Sequence, residues 1–301
     1  MTELWALVKR DTKLYFRDKG MFFSSLITPV ILLVLYGTFL KNVYEDSFRS
    51  ALAAAGATAS DAVIGGCVGG QLISSLLAVC CVTVAFCANL ITIRDKTSGV
   101  RNDISMTPAK PGAVALGYYL STLFSALIVS LTASAFCFGY LAMVGWYLSV
   151  GDVLLLLLDV LLLTMFGTAL ASCVNFFLTT DGQASAVGTI VSAGYGFLCG
   201  AYMPLASFSD GLQHVMGFLP GTYGTSLLRA HALRGVFSVM RDDGFPAEVV
   251  EKIGDSIDCN LYFYGTQVGD GIKALILAGT IVLLIALYVF FCRLAAKRAG
   301  R

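Results

Sequence analysis

Asp159 stands alone in the apolar run LLLLLDVLLLTM. It is the one ionisable residue placed well inside a stretch long enough to cross a bilayer. A charged group there costs roughly 2.5–3.5 kcal/mol even on insertion scales, so a carboxylate in that position needs a role. Binding a cationic group, passing a proton and pairing across a helix interface all fit; interface pairing is the plainest. Asn89 and Asn175 lie near the ends of two other apolar runs, and Tyr195 lies in a third. With Asp159 they form a candidate substrate pathway, although polar residues at helix ends also serve simple solvation. The two histidines, His214 and His231, have no Cys, His or Glu at ligand spacing, so no metal site is expected. There is no HExxH, no nucleophile elbow and no G-x-x-x-x-G-K-[ST] loop to cradle phosphate. No catalytic residue and no cofactor is expected on this chain. Any energy for work must come from a partner or an ion gradient.

The elements that carry these residues are membrane spans. Hydrophobic residues make up 57% of the 301 and charged residues only 13%, where a soluble domain has roughly 25% charged. Such a chain needs the lipid bilayer as its solvent. A spanning helix takes about 20 mostly apolar residues, and six stretches qualify: 22–40, 71–93, 113–144, 153–177, 184–203 and 272–291. The expected fold is all-α, one transmembrane unit over residues 1–301. Thirteen of the twenty Lys and Arg fall before the first stretch, between the second and third, or after the sixth. The positive-inside rule puts that side, and both termini, in the cytoplasm. The net charge of +1 leaves no general basic field for nucleic acid.

Residues 1–20 mix bases with Trp5 and Phe16 and read as a helix on the cytoplasmic membrane surface. They lack the apolar core of a cleaved leader, so the N-terminus is expected to be retained. Residues 204–271 form the larger outer segment. Its part PLASFSDGLQHVMGFLP is too short to span and suits a re-entrant hairpin. Gly196 and Gly200 have the small-xxx-small spacing of close helix packing. Most of the nine Cys lie in apolar runs; Cys67 and Cys259 lie in outer polar segments, where a disulfide is conceivable.

The cytoplasmic segment 94–112, RDKTSGVRNDISMTPAKPG, suits a short charged helix ended by Pro108 and Pro111. On spacing alone it is an ordinary connection. Within it stand Gly99, Ile104 and Thr107-Pro108, with Arg94-Asp95 upstream. After the fifth stretch come Gly200-Ala-Tyr-Met-Pro204, Leu219-Pro220-Gly-Thr-Tyr223 and Leu227-Leu-Arg229. In order and spacing, over nearly the whole chain, these resemble the permeases of ABC-2 type transporters. That family often has Glu-x-x-x-Gly, Leu and Thr-Pro in the loop, and Asn-Pro-x-x-Tyr with Leu-Arg later. Here Asp95 is the nearest equivalent of the Glu, and Leu219 replaces the Asn.

The resemblance implies a permease subunit of a bacterial plasma-membrane exporter, paired with a second copy or a related permease. Two cytoplasmic ABC ATPase subunits would hold the ATP and Mg. Arg94, Asp95, Gly99, Ile104, Thr107 and Pro108 would couple to them, and the cargo would be drug-like, lipid-linked or peptidic. An ion-coupled secondary transporter, an intramembrane enzyme and a non-transporting scaffold remain as alternatives.

Overall fold

The computed structural model describes residues 2–54 and 59–299. Among the described residues, the regular elements are helices except for one small hairpin. Helix α1 (Thr2–Arg17) buries Val8, Asp11 and Tyr15 and exposes Trp5, Leu14 and Phe16. It turns through 76° into α2 (Lys19–Leu35). Asp18 makes the corner, its carboxylate accepting the Met21 N–H at 3.1 Å as the N-cap of α2. Phe23, Ile27, Val30, Ile31 and Val34 leave an apolar face of α2 uncovered, as a lipid-facing helix requires. A π-helical turn, Tyr36–Leu40, carries the chain into α3 (Lys41–Ala54).

Helix α4 (Asp61–Thr97) is the column of the fold. Its 37 residues make a rod of about 55 Å at 1.5 Å per residue, and nearly all of it is buried. Small residues let neighbours approach it closely. A Cβ on Gly70 would sit 2.6 Å from the Leu233 side chain and 3.1 Å from the Ala232 carbonyl. A Cβ on Gly167 would sit 2.9 Å from Val82 Cα.

After the short α5 (Val100–Ser105) come α6 (Pro111–Val144) and α7 (Val150–Phe176). Pro111 at the first turn suits α6. Ser149 and Asp152 close a capping box on α7. The chain continues through α8 (Asp181–Leu198), α9 (Asp210–Gly217), α10 (Pro220–Asp242) and α11 (Ala247–Ser256). Strands β1 (Leu261–Phe263) and β2 (Thr266–Val268) pair antiparallel, and α12 (Asp270–Ala299) ends the fold. The Arg10 guanidinium reaches Asp95 at the end of α4, and Arg101 lies 3.9 Å from Cys292 near the end of α12. The N-terminal helix and the end of α12 therefore meet on the α5 side.

Among the described residues, α4, α6, α7 and α12 are long and apolar enough to cross a membrane, and the bent pair α1–α2 adds a fifth crossing at most. Six stretches were expected. The fifth of them, at 184–203, is the Gly- and Ser-rich α8, only 18 residues and ended at Leu198. The stop is a Schellman turn: Gly200 takes φ +71°, its N–H reaches Phe197 O (3.3 Å), and Ala201 N–H reaches Gly196 O (2.8 Å).

Residues 205–217 hold only a 3₁₀ turn and α9. The buried helix of the distal region is the 23-residue α10 beyond Pro220, packed on α4, α7 and α12. Arg229, His231, Arg234 and Arg241 make it too polar to be read as a span from composition. All nine cysteines are free thiols, Cys67 and Cys259 included, and both are buried.

Candidate functional site

The last turn of α4 places three successive residues on three different elements. Arg94 pairs with Asp18 at the α1–α2 corner. Asp95, buried, accepts from Arg10 of α1 through both oxygens (2.7 and 3.0 Å) and from the Tyr118 hydroxyl of α6 (2.7 Å). Lys96 donates to the carbonyls of Asn175, Phe176 and Leu178 at 2.8, 2.7 and 2.9 Å. A cation on the orphan carbonyls at a helix C-terminus is favourable, and here it ties α4 to the end of α7. Arg10 also holds Asp11 at 2.8 Å. Burial pushes the Asp11 carboxyl up to about 7, against the opposing pull of Arg10.

This clamp ends where the connection begins. Gly99 takes φ +82°, a conformation that suits glycine, and opens α5. Ile104 packs inward, while Met106 is 85% exposed. Thr107 donates to Ile104 O at 2.6 Å and Pro108 follows. Between α1 and this turn lies a cavity of about 400 Å³ lined by Leu7, Arg10, Ile104, Thr107 and Pro108. The six expected coupling residues thus divide. Arg94 and Asp95 are engaged within the chain, Gly99 and Ile104 are half-buried on the turn that follows, and Thr107 and Pro108 are exposed at its end.

The expected pathway residues are scattered. Asn175 donates to Asn89 at 2.9 Å, and Asn89 donates to Thr122 (3.1 Å) and Ser172 (3.2 Å), in a buried knot joining α4, α6 and α7. Asn175 also borders a crevice of about 490 Å³ between α2, α4 and α8, with Leu32, Phe86 and Ser185. Asp159 is buried away from that crevice, its carboxylate 2.5 Å from His231 Nδ1 on α10. Tyr195 is buried against Gly221. Gly196 and Gly200 do not form one packing face, since Gly200 lies beyond the helix end and the Tyr202 ring folds back over Gly196.

The family model for ABC-2 type transporters matches residues 2–233. This chain belongs to the ABC-2 type transporter family. No curated protein matches it. It is an ABC transporter permease, a multi-pass membrane subunit that carries no catalytic role of its own and belongs to a family that works with an ABC ATPase. The match ends within α10, so α11, the hairpin and α12 follow it.

Arg229 is the residue of this permease whose part is least legible from sequence. It is fully buried, and its guanidinium donates to Ile257 O (2.6 Å), Gly200 O (2.8 Å) and Ser75 Oγ (3.2 Å), with Asp258 at 3.3 Å. It binds α10 to α4 and to the turns after α8 and α11. Burial raises the Asp258 carboxyl to about 6, with Arg229 drawing it back. Only the Leu-Leu-Arg element hinted at this residue. The partners come from far along the chain, so no local spacing could identify them. The same holds for Arg10 and His231.

Proposed function

We propose that this permease is the membrane half of an exporter that moves a lipophilic or amphipathic molecule outward, with ATP and Mg held on separate cytoplasmic subunits. The α5 side faces the cytoplasm, as its share of Lys and Arg requires, and the setting is a bacterial plasma membrane. Helices α2, α4, α6, α7, α8 and α12 then make six crossings, α2 and α8 being the shortest at 17 and 18 residues. A second copy or a related permease completes the pore.

One observation carries this reading. The exposed turn from Gly99 to Pro108 sits directly on a clamp formed by Arg94, Asp95 and Lys96 that grips α1, α2, α6 and α7 at once. A push on α5 cannot be absorbed locally, because packed interiors transmit displacement rather than deform. It passes to α4, the buried column, and so to its neighbours. Closure of paired ATPases below would move α5, and α4 would alter the crevice between α2, α4 and α8. That crevice has the size of a small-molecule site and is the best place for cargo.

Met106→Cys tests the docking. A maleimide–benzophenone attached to this exposed thiol should photocrosslink to the co-expressed ATPase, while the parent chain, whose nine thiols are buried or half-buried, stays unlinked. An ATPase that copurifies yet never links to position 106 would move the contact elsewhere.

A further inference from the structure

The N-terminal helix leaves an open groove along one flank of its seam with α6. Leu7 and Asp11, one turn apart on α1, make that seam. Leu7 fills the space over Gly117, where a Cβ would collide with it, and Asp11 accepts from Ser121 at 3.5 Å. Beside them, Trp5, Lys9 and Lys13 recur every fourth residue and so share one stripe of the helix. They line a groove of about 750 Å³ whose other wall is Phe124 and Ile128 on α6. The Trp5 and Phe124 rings lie 6.0 Å apart between centroids. Trp5 is 61%, Phe124 40% and Ile128 49% exposed, so the apolar wall is open to the surroundings.

Depth orders these groups. From Ser121, beside α1, to its end at Val144, α6 runs about 35 Å, close to a hydrocarbon core about 30 Å thick. α1 therefore lies at one edge of the membrane. Phe124 and Ile128 lie about 5 and 10 Å deeper along α6, within the hydrocarbon.

The edge carries uncompensated charge. Lys9 and Lys13 are exposed, and neither has an ion-pair partner among the described residues. Asp11 and Asp18 are already held by Arg10 and Arg94. Two neighbouring cations at the headgroup level, above an aromatic and apolar wall, match the anionic head and acyl chain of a phospholipid. A zwitterionic lipid brings a cation of its own to the same place. An acidic protein surface would leave Phe124 and Ile128 uncovered in the hydrocarbon.

We propose that this groove binds one anionic phospholipid, its phosphate between Lys9 and Lys13 and an acyl chain along Trp5, Phe124 and Ile128. Each cation beside an anionic lipid surface is worth roughly fivefold in binding, so the pair selects an anionic headgroup over a neutral one. The site needs only that the helices span a membrane, and it stands or falls apart from ATPase coupling.

The test uses the full chain in phosphatidylcholine vesicles, doped with phosphatidylglycerol or with phosphatidylcholine that bears the same diazirine on one acyl chain. After irradiation, the phosphatidylglycerol probe should label Phe124 and Ile128 several-fold more than the phosphatidylcholine probe does. Lys9→Gln with Lys13→Gln should remove that excess while leaving the label on Leu287 and Phe290, exposed residues of α12, as in the parent. Lys9→Arg with Lys13→Arg should keep it. All four substitutions fall at exposed positions of α1, so the melting temperature should hold. Equal labelling of Phe124 and Ile128 by the two probes would overturn the proposal. So would an excess that survives the glutamine pair, or one that falls equally on α12, which would mark general attraction to the surface. Label on α6 far below that on α12 with either probe would show another protein chain over the groove, and would overturn it as well.

Discussion

His231 Nδ1 stands 2.5 Å from Asp159 Oδ2, and the two side chains join α10 to α7 within the protein. The acid that sequence marks as costly in a span has its partner on a helix too polar to be taken for a span. Removing one partner leaves the other buried and unsatisfied, at about 1–3 kcal/mol. His231→Ala should therefore lower the melting temperature clearly. Removing both, in Asp159→Leu with His231→Leu, should restore much of the loss. Thermal unfolding of the purified permease in detergent measures this; a double variant no better than the single one would deny the pair its structural role.

Asp11 gives a pH dependence on the α5 side. An aspartate ordinarily titrates near 3.9, whereas burial holds this one at about 7. Between those values the folded protein keeps a proton that the unfolded chain has released. The contribution to stability is therefore complete below the ordinary value and is lost as pH rises through about 7. Asp11→Asn removes the titration, so its stability relative to the parent should rise from about pH 5 to about pH 8. Melts across that interval check it, and a constant difference would contradict the assignment.

Gly235 and Gly139 make a matched pair. A Cβ on Gly235 would lie 1.9 Å from the Tyr147 carbonyl oxygen, so α10 would have to move. Gly235→Ala should cost about 1–3 kcal/mol through overpacking. Gly139→Ala meets no atom within 4 Å and should gain up to about 1 kcal/mol, because glycine is a poor helix residue. Paired melting curves decide it, and equal effects would mean that the α10 contact is loose.

Most of the long helices were legible because unbroken apolar runs need no tertiary information. α7, expected over 153–177, begins at Val150 because a capping box starts it earlier. α8 ends short of 203 because Gly200 can take a positive φ, which spacing alone does not reveal. α10 escaped because its charges are neutralised by distant partners, Arg229 by Asp258 and His231 by Asp159. In the cytoplasmic segment, the motif located Gly99, Ile104 and Pro108 on an exposed turn. It could not separate them from Asp95, which folding turns inward onto Arg10 and Tyr118.

The central claim is that the turn from Gly99 to Pro108 couples this permease to an ATPase. The most direct measurement is ATP turnover by the complex purified after co-expression with the ATPase encoded nearest to it. The parent should yield a stable complex, and Gly99→Val, Ile104→Arg and Pro108→Ala should each reduce turnover while leaving the permease folded. A folded permease that retains no ATPase, or turnover indifferent to all three changes, would contradict the claim.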